Sequence, residues 1–114
     1  METLILEYRV ISRSELRKKI ERGDRFHLWN VLPREQHDRT QNLPRSRHVP
    51  LEAISRRTTP ARKSEPLVLY SAGPVCRAAR QAADRLKSLG FEDVTVYEGG
   101  LDDWRTAGLP LAAN

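Results

Sequence analysis

The sequence predicts an α/β domain in which a parallel sheet of short buried strands is covered by helices. Three observations predict it. Short β-prone runs recur at "FHLWNV" (26–31), "LVLY" (67–70) and "VTVY" (94–97), each largely apolar, as strands buried on both faces are. An alanine-rich run from Arg77 to Leu89 puts Ala79, Ala82, Ala83, Leu86 and Leu89 on one helical stripe. Strand and helix patterns alternate along the chain, and parallel strands need such crossovers. With 114 residues there is room for one core, so residues 1–114 are expected to form one domain.

Each element has a local cause. "ISRSEL" starts a helix: Ser12 can cap the amide of Glu15, Glu15 can reach back, and Ile11 can pack on Leu16. Leu16 and Ile20 share its inner face, and Gly23 is placed to stop it. Phe26–Val31 is the first strand, ended by Pro33. Prolines at 44, 50 and 60 make the next segment mostly loop, with a helical turn near Leu51–Ser55. The Leu67–Tyr70 strand leads into the alanine-rich helix, which Gly90 closes. After Val94–Tyr97, Gly99 and Gly100 turn the chain into a last helix over Leu101–Ala107. Trp29, Leu101 and Trp104 are expected in the core.

Composition narrows the function classes. The net charge of +5 is carried by one band: Arg34, Arg39, Arg45, Arg47, Arg56, Arg57, Arg62 and Lys63 against Glu35, Asp38 and Glu52. Such a band suits an acidic partner or small anion, or is a solvated surface; it lacks the stacking aromatics of a nucleic-acid site. No apolar run is long enough to span a bilayer, so no membrane association is expected. The opening "METLILEYRV" has no signal-peptide pattern, and one cysteine forms no internal disulfide; a reducing compartment, the cytoplasm, is expected. His27, His37 and His48 show neither metal-ligand nor triad spacing, so no metal, cofactor or serine-hydrolase chemistry is expected.

The chemistry-bearing stretch is the junction after the second strand, "SAGPVCR": Ser71, Ala72, Gly73, Pro74, Val75, Cys76 and Arg77. In open parallel sheets ligands gather beyond the strands' carboxyl ends, where loops meet helix N-termini. Gly73 and Pro74 shape a turn whose amides can face an anion. Cys76 stands at the helix start beside Arg77, a setting that favours thiolate; the alternative is an inert buried thiol.

"LVLYSAGPVCRAARQAADRLKSLGFEDVTVYEGGLDDWRTAGLP" resembles the second half of a single-domain rhodanese, where a strand ending in Tyr-Cys leads through a six-residue loop into a helix ending Leu-Gly-Phe. Gly-Gly, Trp and Ala-Gly-Leu-Pro follow in that family. "FHLWNVLPREQHDRTQNLPRSRHVPLEAI" is similar, more weakly, to its Asp-Val-Arg strand and His-Ile-Pro-Gly-Ala segment. The resemblance implies a five-stranded, mainly parallel sheet with helices on both faces. It also implies sulfane-sulfur transfer through a loop cysteine persulfide, with thiosulfate or a similar sulfur-containing anion, or a sulfur-accepting protein, as partner.

Three departures matter. Ser71 takes the place of the family cysteine, Asn30 and Leu32 replace the Asp-x-Arg pair, and Arg45-Ser46 replaces Gly-Ala. Asn30–Pro33 and Cys76 resemble a subset that has Asn-Val-Leu-Pro and a second cysteine at the loop's end. A serine hydroxyl cannot carry a persulfide. Three readings follow: a sulfurtransferase whose thiol has moved to Cys76, a catalytically silent module binding an anion or a protein, or a phosphatase-like Ser-x5-Arg loop running from Ser71 to Arg77.

Overall fold

The computed structural model describes residues 8–55 and 61–113. Arg56, Arg57 and Pro60, and most of the opening segment, lie outside them. Five strands are formed: β1 (Arg9–Val10), β2 (His27–Asn30), β3 (Arg47–His48), β4 (Leu67–Tyr70) and β5 (Val94–Val96). They make one sheet in the order β1-β5-β4-β2-β3, every neighbouring pair parallel. Three helices connect or follow them: α1 (Arg13–Arg22), α2 (Ala78–Ser88) and α3 (Gly100–Thr106).

The strand sequences explain the layering. Successive side chains point to opposite faces, so an all-apolar strand feeds two cores at once. Leu67 and Leu69 of β4 join Trp29, Val96 and the Ala79, Ala82, Ala83, Leu86 stripe of α2 on one face. Val68 and Tyr70 join Leu28, Leu16 of α1, and Leu101 and Trp104 of α3 on the other. Alanines let α2 lie close against the strands, and none of its inward residues is polar. Trp29 and Trp104 are buried, the latter giving its indole N–H to the Pro110 carbonyl at 2.8 Å.

The start of α1 is built as its sequence implies. The Glu15 amide donates to Ser12 Oγ at 3.1 Å and the Ser12 amide to Glu15 Oε1 at 3.3 Å, while Gly23 closes the helix with φ 71°. Replacing Ser12 with alanine is expected to lower stability by about 1 kcal/mol; chemical denaturation checks it, and an unchanged midpoint would show the cap to be idle.

Over its described residues, the band from Arg34 to Lys63 is mostly loop, with single 3-10 turns at Arg34–Gln36 and Leu51–Ala53 and the short edge strand β3 between them. Its described basic residues, Arg34, Arg39, Arg45, Arg47, Arg62 and Lys63, are all exposed. Arg45 holds φ 68°, the left-handed region that favours glycine, at a position where the resemblance has one.

Candidate functional site

The carboxyl ends of β2, β4 and β5 meet at one end of the sheet, and the loop from Ser71 to Arg77 curls there. Its carbonyls are tied down on one side: Ser71 accepts from the Leu101 amide at 3.0 Å and Ala72 from the Asp102 amide at 2.8 Å. The Cys76 amide donates back to the Gly73 carbonyl at 3.1 Å, closing a turn. Gly100, at φ 61°, presses against this loop so closely that a Cβ would stand 2.5 Å from the Ser71 carbonyl oxygen. α3 is itself anchored, because Asp103 accepts from the Tyr97 hydroxyl at 2.5 Å and from Arg13 Nη1 at 2.8 Å. Burial first, and then the Asp103 carboxylate, raises the Tyr97 hydroxyl far above its ordinary value, so it stays a donor.

Among the described residues, the amides of Ala72, Gly73, Val75, Arg77 and Ala78 donate to no backbone carbonyl. No side chain caps α2, whose first residues follow directly. Amides without a backbone acceptor and the dipole of α2 both favour negative charge here.

Cys76 is half-buried and lines a small recess with Ser71, Gly73, Pro74, Ala79, Arg80, Val96 and Glu98. Burial alone would raise its thiol. The Ser71 hydroxyl, the amides of Ala78 and Ala72, and the charge of Arg80 outweigh it and bring the pKa below the ordinary thiol value. Cys76 thus shares its recess with the buried Ser71. Alkylation of Cys76 by iodoacetamide is expected to reach half its maximal rate at a lower pH than that of an unstructured cysteine peptide. Ser71→Ala removes a donor and should move that midpoint upward; an unmoved midpoint would separate Ser71 from the thiolate.

The sequence-predicted residues do not all gather. Ser71, Gly73, Pro74 and Cys76 line the recess. Arg77 is exposed and is not among the residues that line it. The guanidinium whose charge acts on the thiol is that of Arg80, in the first turn of α2, which lines the recess as well. Glu98, which follows β5, lines the recess as well and was not legible from the loop. Val75 is 93% exposed.

The positions of the lost Asp-x-Arg pair are filled without charge. Buried Asn30 gives its amide N–H to Asn42 Oδ1 at 3.1 Å and accepts from the Leu32 amide at 3.1 Å, while Leu32 packs in the core. A larger surface groove, between α1 and the starts of β4 and β5, lies at the strands' amino ends, away from where parallel sheets place their sites. Among the described residues, no group of three or more His, Cys, Asp or Glu could hold a metal ion, and no helix is long and apolar enough to cross a membrane.

An all-parallel five-stranded sheet with helices packed on it and a strand–loop–helix junction at its carboxyl end defines the class: a single α/β domain. The family model of the rhodanese-like domain matches residues 12–107, and the chain belongs to that family. Among solved structures it is similar to BH2092 from Bacillus halodurans (24% identity, TM-score 0.80, covering 93% of this chain and 77% of that one). It is similar also to the rhodanese-like domain of Alr3790 from Anabaena sp. (25%, 0.78, 95% and 81%). The human single-domain sulfurtransferase TSTD1 shares the fold at 19% identity (TM-score 0.69, 88% and 97%). No curated protein matches the chain in sequence.

Proposed function

We propose that this rhodanese-like domain transfers sulfane sulfur through Cys76. The observation that carries the reading is the placement of the thiol: half-buried in the recess beside Ser71, and drawn toward thiolate by that hydroxyl and by loop amides. In the step this supports, the Cys76 thiolate attacks the outer sulfur of thiosulfate. The thiosulfate S–S bond breaks, sulfite leaves with its electron pair, and Cys76 holds the sulfur as a persulfide. An acceptor thiolate or cyanide then attacks the terminal sulfur, and the Cys76 thiolate is released. Amides of the Ser71–Arg77 loop offset the persulfide's charge, with Arg80 adding to them and Glu98 opposing them.

The test is incubation with thiosulfate followed by intact mass: uptake of one sulfur atom is expected, and its release as thiocyanate on adding cyanide. A second reading, a silent module that binds an anion or a partner protein, draws on the buried Ser71 in the place of the family cysteine and on the carboxylate of Glu98 in the recess. Protein that takes up no sulfur from thiosulfate or from an organic persulfide would favour it over the first.

A further inference from the structure

The sulfur-transfer reading makes no use of a second cluster at the same end of the sheet. His37, after the first 3-10 turn, and His48, ending β3, stack face to face with ring centroids 3.6 Å apart and planes 16° from parallel. Both are half-buried. Each ring has one nitrogen committed. His37 Nε2 lies 2.9 Å from Asn42 Oδ1, and His48 Nε2 lies 2.7 Å from the Leu32 carbonyl oxygen. Those oxygens only accept, so both Nε2 atoms carry the proton, and Nδ1 is where a further proton goes. The in-plane lone pairs of the two rings lie in nearly parallel planes about a stacking distance apart, so the two Nδ1 atoms cannot both aim at one metal ion at about 2 Å.

The pair holds more than itself. Asn42, which receives His37, also receives Asn30 and gives its side-chain N–H groups to the Arg39 and Ala112 carbonyls. Its backbone forms the antiparallel bridge to Ala112, at 3.0 and 2.7 Å. Next to it the Leu43 amide donates to the Tyr70 hydroxyl, which also meets Ser46 Oγ, and Tyr70 directly precedes Ser71. The His37 contact thus closes the connection between β2 and β3, and the segment around Ala112, onto the sheet's carboxyl end.

We infer that the His37–His48 stack is an acid-sensitive latch, shut while both rings are neutral and opened when both are protonated. One added proton leaves a cation on a neutral ring; a second puts two like charges at stacking distance. The surroundings do little to offset them. Glu52 faces His48, but so does Arg34, and Asp38, next to His37, has the charge of Arg105 near it. The direction agrees: burial foremost, helped by His37 and Arg34, holds His48 below its ordinary value. A histidine whose folded pKa is lowered takes up fewer protons than in the unfolded chain, so its contribution to stability is lost as pH falls below about 6.5.

Amide exchange by NMR tests this, with histidine ring shifts followed in the same samples. Between about pH 7.5 and pH 5 the protection factors of Asn42, Leu43 and Ala112 are expected to fall by about tenfold or more, while those of Leu28 and Val68 hold. The fall should track the second ring protonation. His37→Gln and His48→Gln each keep a side-chain N–H donor but cannot charge, and either should stay latched at acid pH. Wild-type protection that persists after both rings are protonated would overturn the latch. So would a folded glutamine variant that opens as wild type does. None of these readings depends on sulfur transfer, so the latch and the Cys76 reading fail separately.

Discussion

Replacing Cys76 with serine is expected to abolish sulfur uptake from thiosulfate, by several orders of magnitude in rate, while leaving stability nearly unchanged. Removing a nucleophile differs from trimming a binding contact, because no neighbouring group can carry the bond it forms. Ser71 is the nearest hydroxyl, and it faces the same recess. A serine hydroxyl cannot hold sulfane sulfur as a persulfide, so it is not a substitute. Cys76 packs against the edge of one core cluster, but exchanging one sulfur atom for one oxygen there changes little volume, so stability should fall by no more than about 1 kcal/mol. Intact mass after thiosulfate treatment reads the first quantity and urea denaturation the second. A Cys76→Ser protein that still gains a sulfur would remove Cys76 from the chemistry. The double exchange Cys76→Ser with Ser71→Cys returns the thiol to the end of β4, and uptake should return with it if the free amides, rather than the helix start alone, make the cradle.

How far the sequence foretold this arrangement varies with the range of the interactions involved. The Leu67–Tyr70 strand and the α2 stripe are legible because their causes are local: an unbroken apolar run for one, a 3.6-residue period for the other. The Ser12–Glu15 box and the Gly23 stop are local as well. β1 and β3 carry no such signal. Each has two residues, and Arg9 and Arg47 point to water, as charged edge strands do; only pairing with distant strands makes them strands at all. The site divides in the same way. Ser71, Gly73, Pro74 and Cys76 stand in one contiguous stretch. Arg80 was within reach of reasoning from helical spacing, since it lies four residues after Cys76, whereas adjacency in sequence pointed to Arg77. Glu98 arrives from another strand, and the Asn30–Asn42–His37 network joins segments through hydrogen bonds that no spacing announces.

Gly100→Ala should be the most damaging single-atom addition near the site. Two effects combine. The residue holds φ 61°, which alanine reaches only at a cost of about 1 kcal/mol or somewhat more. A Cβ there would also stand 2.5 Å from the Ser71 carbonyl oxygen and 2.9 Å from the Gly73 amide nitrogen, and both neighbours are backbone that cannot rotate away. Either α3 backs off, stretching the Leu101 and Asp102 amides from the Ser71 and Ala72 carbonyls, or the loop deforms. A total loss of about 3 kcal/mol is expected. Gly23→Ala separates the two effects. Its φ is 71°, yet nothing lies within 4 Å of the added atom, so it should show the conformational strain alone. Any loop displacement in Gly100→Ala also moves the amides that draw Cys76 toward thiolate, and misplacing such donors by about 1 Å costs about a hundredfold in rate. Urea denaturation of the two variants, alongside sulfur uptake at a temperature where both stay folded, makes the comparison. Equal destabilisation would show that the loop yields freely to α3. Full uptake in a folded Gly100→Ala protein would mean that the close approach of α3 has no part in shaping the cradle.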